Sequence, residues 1–252
     1  MNDILEKLTQ LSHELGREER HLAILGEGNT SADLGDGTFL VKGSGSSLAT
    51  MRPEQFSRVK KKEVLDFIDQ PATEQEVQDF LQSCRVDASA PHPSVETFLH
   101  ALCQEIGGAK WVGHTHTESM ISILASQAGA QPFLRHIYPD VIVVCGRHIA
   151  VVPYVDPGLE LARVVREELV RFKAKHGKGP KLVLMVNHGP VALGQTEKEV
   201  FNILLMADKW ARALNGMAAW GGPKYLEESD SDRIDNRLDE HFRRKQILQQ
   251  KS

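Results

Sequence analysis

The sequence predicts an α/β layered domain built on a mixed sheet. Stretches whose apolar residues recur at the helical period alternate with short apolar runs of strand length. Several strand-like runs are joined by turns too tight for a crossover helix, so part of the sheet must be antiparallel. With 252 residues, of which 41% are hydrophobic and 25% charged, the chain can bury one large core.

The elements follow in order. Ile4, Leu5, Leu8, Leu11 and Leu15 lie on one face of an N-terminal helix. Two short strand-like runs then flank Asp36-Gly37, a hairpin turn signal, with glycine-rich stretches at both ends. The polar stretch containing KKKEV and TEQEVQD reads as edge structure or loop. PSVETFLHALCQEIGG reads as a helix with Pro93 in its first turn, Glu96 close behind, and Gly107 as its stop. WVGHTHT is a strand, ESMISILASQAG a helix, and DVIVVCG and HIAVVPY two strands separated by a tight turn around Gly146-Arg147. A helix across PGLELARVVREELVRFKAKHG precedes strands in KLVLMV and PVALG, which are broken by NHG. Thr196 and Glu199 form a capping box for the next helix. Residues 1–225 make one domain; residues 226–252 are a charged tail that reads as a surface helix, a subunit contact or a frayed end.

Composition narrows the function. A formal net charge of -4 offers no general attraction to nucleic acid or anionic lipid, so neither is an expected partner. Three cysteines without a C-x-x-C pair suggest neither a disulfide framework nor a thiolate metal site, and a reducing cytoplasm fits. The first twenty residues interleave charge with apolar side chains, unlike a secretory signal or a membrane span. No strand–GxGxxG–helix unit supports a dinucleotide site.

Four features carry chemistry. His114 and His116 are two apart in a strand, so both side chains can project to one face and share an ion; hydrogen-bonded core histidines would look the same. His188 sits where an apolar run gives way to a glycine-permitted turn, and three imidazoles with an open position suit zinc, manganese or cobalt. Glu96 near a helix start is either a carboxylate that favours the helix dipole or, beside a metal, a group that moves protons. GEGNTSA and KGSGSS are glycine-rich loops that either cradle an anion or serve as hairpin ends. His100, four residues after Glu96, reads as a packing residue rather than one that orients the carboxylate.

Taken together, GNTS, KGSG, PSVE, HTH and NHG, in that order over residues 28–189, resemble the class II aldolase/adducin family. The resemblance implies a three-layer α/β/α fold with a central, mixed and largely antiparallel sheet, commonly assembled as a homotetramer. It implies that His114, His116 and His188 hold a divalent metal, usually zinc, with manganese and cobalt as alternatives. Glu96 matches the acidic residue that contacts the empty metal site or exchanges protons with substrate, while Gly28, Asn29, Ser44, Gly45 and Ser94 match the loops that hold a substrate phosphate. The implied reaction is aldol cleavage of a short ketose 1-phosphate, or a related hydroxy-keto compound, to dihydroxyacetone phosphate and an aldehyde. Epimerisation, decarboxylation or dehydration on the same site, and a non-catalytic adducin-like scaffold, are the alternatives. One departure is Val95, where many sugar-phosphate members carry a second hydroxyl residue. Neither Tyr138 nor Tyr154 is given a role.

Overall fold

The computed structural model describes residues 1–239 and residue 246. Helix α1 (Asn2–Leu15) leads into a hairpin of β1 (Asn29–Asp33) and β2 (Thr38–Lys42). The strand β3 (Phe56–Lys60) and helices α2 (Lys61–Phe67), α3 (Glu74–Ser83) and α4 (Thr97–Glu105) follow. Next come β4 (Trp111–His114), α5 (Glu118–Leu124), α6 (Pro139–Cys145) and β5 (Ala150–Val152). The remaining elements are α7 (Leu159–His176), β6 (Leu182–Met185), β7 (Gly189–Gly194), α8 (Glu197–Met217) and α9 (Glu228–Asn236).

Seven strands form one sheet in the order β3-β2-β1-β4-β7-β6-β5. The β5–β6 pair is parallel, with α7 as its crossover, and every other pair is antiparallel. Alternation along the strands divides the core in two. Ala32, Leu40, Trp111, Leu184 and Ala192 face the layer of α1, α5, α6 and α8. Phe39, Val41, Val112, Val183, Met185 and Val191 face α2, α3, α4 and α7. The expected mixed, largely antiparallel sheet between two helical layers is therefore the observed fold.

Three local expectations are corrected. DVIVVCG is not a strand: Tyr138 is an extended N-cap, Pro139 opens α6, and Gly146 at φ 94 ends it. Its apolar residues are buried on two sides, Val141 and Cys145 in the main core and Ile142 and Val143 against α9. A short all-apolar run suits a buried helix as well as a buried strand, and here the proline decides. The polar stretch does supply the edge strand β3, but it also holds α2 and α3, the latter started by a Thr73–Glu76 capping box. The helix expected from Pro93 starts at Thr97, because Pro93 forms a bridge with Gly43. That bridge draws the KGSG and PSVE loops together.

Thr196 Oγ1 accepts from Glu199 N as a cap should, at 3.1 Å. The Glu199 carboxylate instead accepts from Gln195 N at 2.8 Å and Lys181 Nζ at 2.7 Å, one residue away from the reciprocal box. At the outer border of β3, Lys60 N donates to Cys84 O and Val86 N to Arg58 O, so residues 84–86 occupy that edge. Helix α9 lies on α6 through Ile234, with Arg147 paired to Glu228 and Asp232. Among the described residues no helix is long and apolar enough to cross a membrane.

Candidate metal centre and active site

His114 ends β4, with Asn29 of β1 opposite it on one side and Val191 of β7 on the other. His116 lies just beyond the strand, so the shared direction of the HTH pair comes from strand plus loop rather than from strand alternation. His188 precedes β7 in a turn where Asn187 adopts φ 57, a left-handed conformation that asparagine tolerates better than most residues. Gly189 is required beside it, because a Cβ there would come within 2.4 Å of Thr115 O. The three rings meet edge to face, with centroids 4.8, 4.8 and 5.1 Å apart.

His114 Nδ1 donates to Pro190 O at 2.9 Å, which leaves Nε2 as the lone-pair nitrogen. His116 Nε2 faces it at 3.0 Å. One donor atom from each of the three histidines lies within 4.8 Å of the others, a set that suits a divalent transition metal. Burial pushes His114 down to about 3, against the pull of Glu96, so the ring is neutral at pH 7 and ready to ligate. His116 is also lowered, first by burial and then by the charge of His188.

Glu96 sits at the N-cap position of α4, yet its side chain caps nothing. It turns into the cleft instead. Oε2 accepts from Asn29 Nδ2. Oε1 lies 3.1 Å from His188 Nε2 and 3.6 Å from His114 Nε2, and it is buried without an aligned hydrogen-bond donor. Burial would raise the carboxyl, but the imidazoles of His114 and His188 and the Asn29 amide hold it below the usual carboxylate range. A buried carboxylate oxygen left over among three converging imidazoles is the pattern expected where a cation belongs.

A cleft of about 210 Å³ opens beside this cluster, lined by Gly28, Asn29, Ser44, Gly45, Ser94, Val95, Glu96, His116 and His188 among others. Gly28, Asn29, Ser44, Gly45 and Ser94 therefore line one cavity. Gly28, at φ 66, lets the loop pass the strand where a Cβ would meet His114 O at 2.7 Å. Asn29 is more committed than expected, its amide engaged by both Glu96 and His100.

Two residues were not anticipated and a third was read differently. Lys42 is buried in the cleft, its Nζ donating to Gly26 O at 2.9 Å, with burial lowering its pKa and Glu96 opposing. A lysine between an apolar run and GSG was its only sequence signal. Glu27 Oε1 stands 3.7 Å from His116 Nδ1. His100 does not merely pack, since both ring nitrogens are hydrogen-bonded. Tyr138 is turned away, its hydroxyl on Met206 Sδ at 3.2 Å, and Tyr154 is exposed and donates to Asp156.

The model of the class II aldolase and adducin N-terminal domain matches residues 6–214. The chain belongs to that family. It is 32% identical over 235 residues to the uncharacterized oxidoreductase YuxG of Bacillus subtilis (strain 168), covering 88% of this chain and 32% of that protein. This class II aldolase family member thus spans about a third of the curated relative's length. The N-terminal class II aldolase domain of a conserved protein from Thermoplasma acidophilum is 27% identical, with a TM-score of 0.65 over 83% of this chain and 92% of that one. The fold is also shared with L-fuculose-1-phosphate aldolase from Thermus thermophilus, 18% identical with a TM-score of 0.59, over 89% and 100% of the two chains.

Proposed function

We propose that the protein cleaves a short ketose 1-phosphate, reversibly, to dihydroxyacetone phosphate and an aldehyde. The observation that carries this reading is a buried Glu96 oxygen without an aligned donor, beside three converging imidazoles and a cleft holding a buried lysine. His114, His116 and His188 hold a divalent cation, zinc by preference, with manganese or cobalt as substitutes. When bound, such a cation supplies Lewis acidity that withdraws charge from the ketone and neighbouring hydroxyl oxygens.

The chain's own groups do the rest. Because Glu96 is ionised, it is set to act as a base in the condensation direction, taking a proton from the carbon of dihydroxyacetone phosphate that forms the new bond. In cleavage the hydroxyl on the carbon that becomes the aldehyde gives up its proton, Glu96 takes up one proton from solvent in exchange, and it passes that proton to the carbon that inherits the electron pair of the broken bond. Gly28, Ser44, Gly45 and Ser94 bind the phosphate, aided by the remaining N–H of Asn29. Lys42 supplies a cation to a cleft in which Val95 contributes no hydroxyl. Residues 1–225 form the catalytic unit, which we place in the cytoplasm and in a homotetramer.

The test is a panel including L-fuculose 1-phosphate and L-rhamnulose 1-phosphate, assayed with metal stripped and restored. Cleavage should vanish on stripping and return with zinc. Full activity after thorough chelation would overturn the metal assignment, and an epimerised, decarboxylated or dehydrated product would replace aldol cleavage.

A further inference from the structure

Glu96, His100 and Gln104 follow one another at intervals of four along the start and body of α4, so they share one stripe of the helix. Asn29 and Ser31 are two apart in β1 and share one face of the strand. The two series interleave. Gln104 Nε2 donates to Ser31 Oγ at 3.0 Å, and Ser31 Oγ lies 2.7 Å from His100 Nδ1. His100 Nε2 meets Asn29 Oδ1, and Asn29 Nδ2 donates to Glu96 Oε2. All five residues are buried, and His100 is fully so.

The direction of every bond in this chain follows from one end. Asn29 Nδ2 donates to Glu96 Oε2, so the amide turns its carbonyl oxygen, which can only accept, to His100. The nitrogen facing that oxygen must then carry a proton. Burial pushes His100 down to about 4, with Glu96 opposing, so at pH 7 the ring holds a single N–H. Nδ1 is therefore bare and accepts the Ser31 hydroxyl proton, and Ser31 Oγ accepts in turn from Gln104.

We propose that His100 is a positioning residue which, as the Nε2–H tautomer, fixes the Asn29 amide against Glu96 Oε2 and so reserves Oε1 for the reacting substrate. This rests on the reading of Glu96 as the proton-transfer group. Without a donor at position 100, Asn29 Oδ1 has no partner in a buried setting, and the amide loses its reason to keep its NH2 toward the carboxylate.

Two measurements test it. In protein labelled with 15N-histidine, long-range 1H–15N correlation reads the tautomer of each ring, and His100→Gln removes one set of peaks and so assigns it. A protonated Nε2 with bare Nδ1 is expected; bare Nε2, or both nitrogens protonated at pH 7, overturns the proposal. With L-fuculose 1-phosphate or L-rhamnulose 1-phosphate, whichever is cleaved, His100→Leu should lower kcat roughly tenfold or more, with KM changed by less than about threefold and metal content unchanged. His100→Gln, which keeps an N–H donor and an acceptor, should recover most of that loss. Wild-type kcat in His100→Leu, or no recovery in His100→Gln, overturns the positioning role. If the wild-type protein cleaves no ketose phosphate, the reading of Glu96 fails while the tautomer measurement still decides the state of His100.

Discussion

Histidines gather at both ends of the central strands, and the two gatherings are chemically opposite. At one end, His114, His116 and His188 converge beside a 210 Å³ cleft. At the other, where β4 begins and β7 ends, His148 and His176 stack with centroids 4.2 Å apart beside a larger cavity of 550 Å³. The far cavity also holds Arg147 and Lys181, but Arg147 is paired with Glu228 and Asp232, and Lys181 with Glu199. Among the described residues, no buried side-chain atom lacking a hydrogen-bond partner belongs to that lining, whereas Glu96 Oε1 belongs to the cleft. Neither cavity size nor the number of histidines marks the candidate site. What marks it is a buried carboxylate oxygen without an aligned donor beside three converging imidazoles.

The contrast can be broken most decisively with the metal itself. His114→Ala or His188→Ala should reduce bound zinc by more than about tenfold, while His148→Ala and His176→Ala should leave it at wild-type stoichiometry by elemental analysis. Metal loss from the far pair would erase the distinction. Next in size, Glu96→Gln should keep the metal but lower turnover by roughly 10²–10⁴-fold, because the amide cannot exchange a proton. Unchanged turnover would remove its role. Lys42→Met should raise KM for a phosphorylated substrate by roughly 10–100-fold, the worth of one charge-assisted hydrogen bond, whereas Lys178→Met in the far cavity should leave KM alone.

The smallest effect concerns buried histidines outside both clusters. His136, stacked on Trp210, is pushed by burial down to about 4 from the ordinary 6.5, with the charge of Arg147 adding to the shift. Between those values the unfolded chain binds a proton that the folded chain refuses. Stability should therefore fall as pH drops from 6.5 towards 4, by up to roughly 1.4 kcal/mol per pH unit for one such group. Urea unfolding across that window should show a shallower slope in His136→Phe; an identical slope would mean that His136 is not a neutral buried ring.

The helices of this fold were legible because periodicity reports burial directly, as at Leu8 and Leu204, whereas the strands at Val112 and Val183, buried on both faces, were marked by their shortness and flanking turn signals. DVIVVCG was misread because an unbroken apolar run carries no period at all, and α2 and α3 escaped because each buries only one or two side chains outright. At the site, residue type made His114, His116, His188 and Glu96 candidates, and only the order of five short motifs singled them out from core histidines and a capping carboxylate. Lys42 and His100 were missed because their roles exist only through contacts across the chain. His100 meets Asn29 at a separation of 71 residues, and nothing local to either residue announces it.

The borders of the sheet carry one further consequence. One outermost strand has only three residues, and the other already gives one amide and one carbonyl to the chain returning at residues 84–86. A foreign strand would find no long row of vacant bonding groups to grow from, so sheet-by-sheet polymerisation is discouraged by construction.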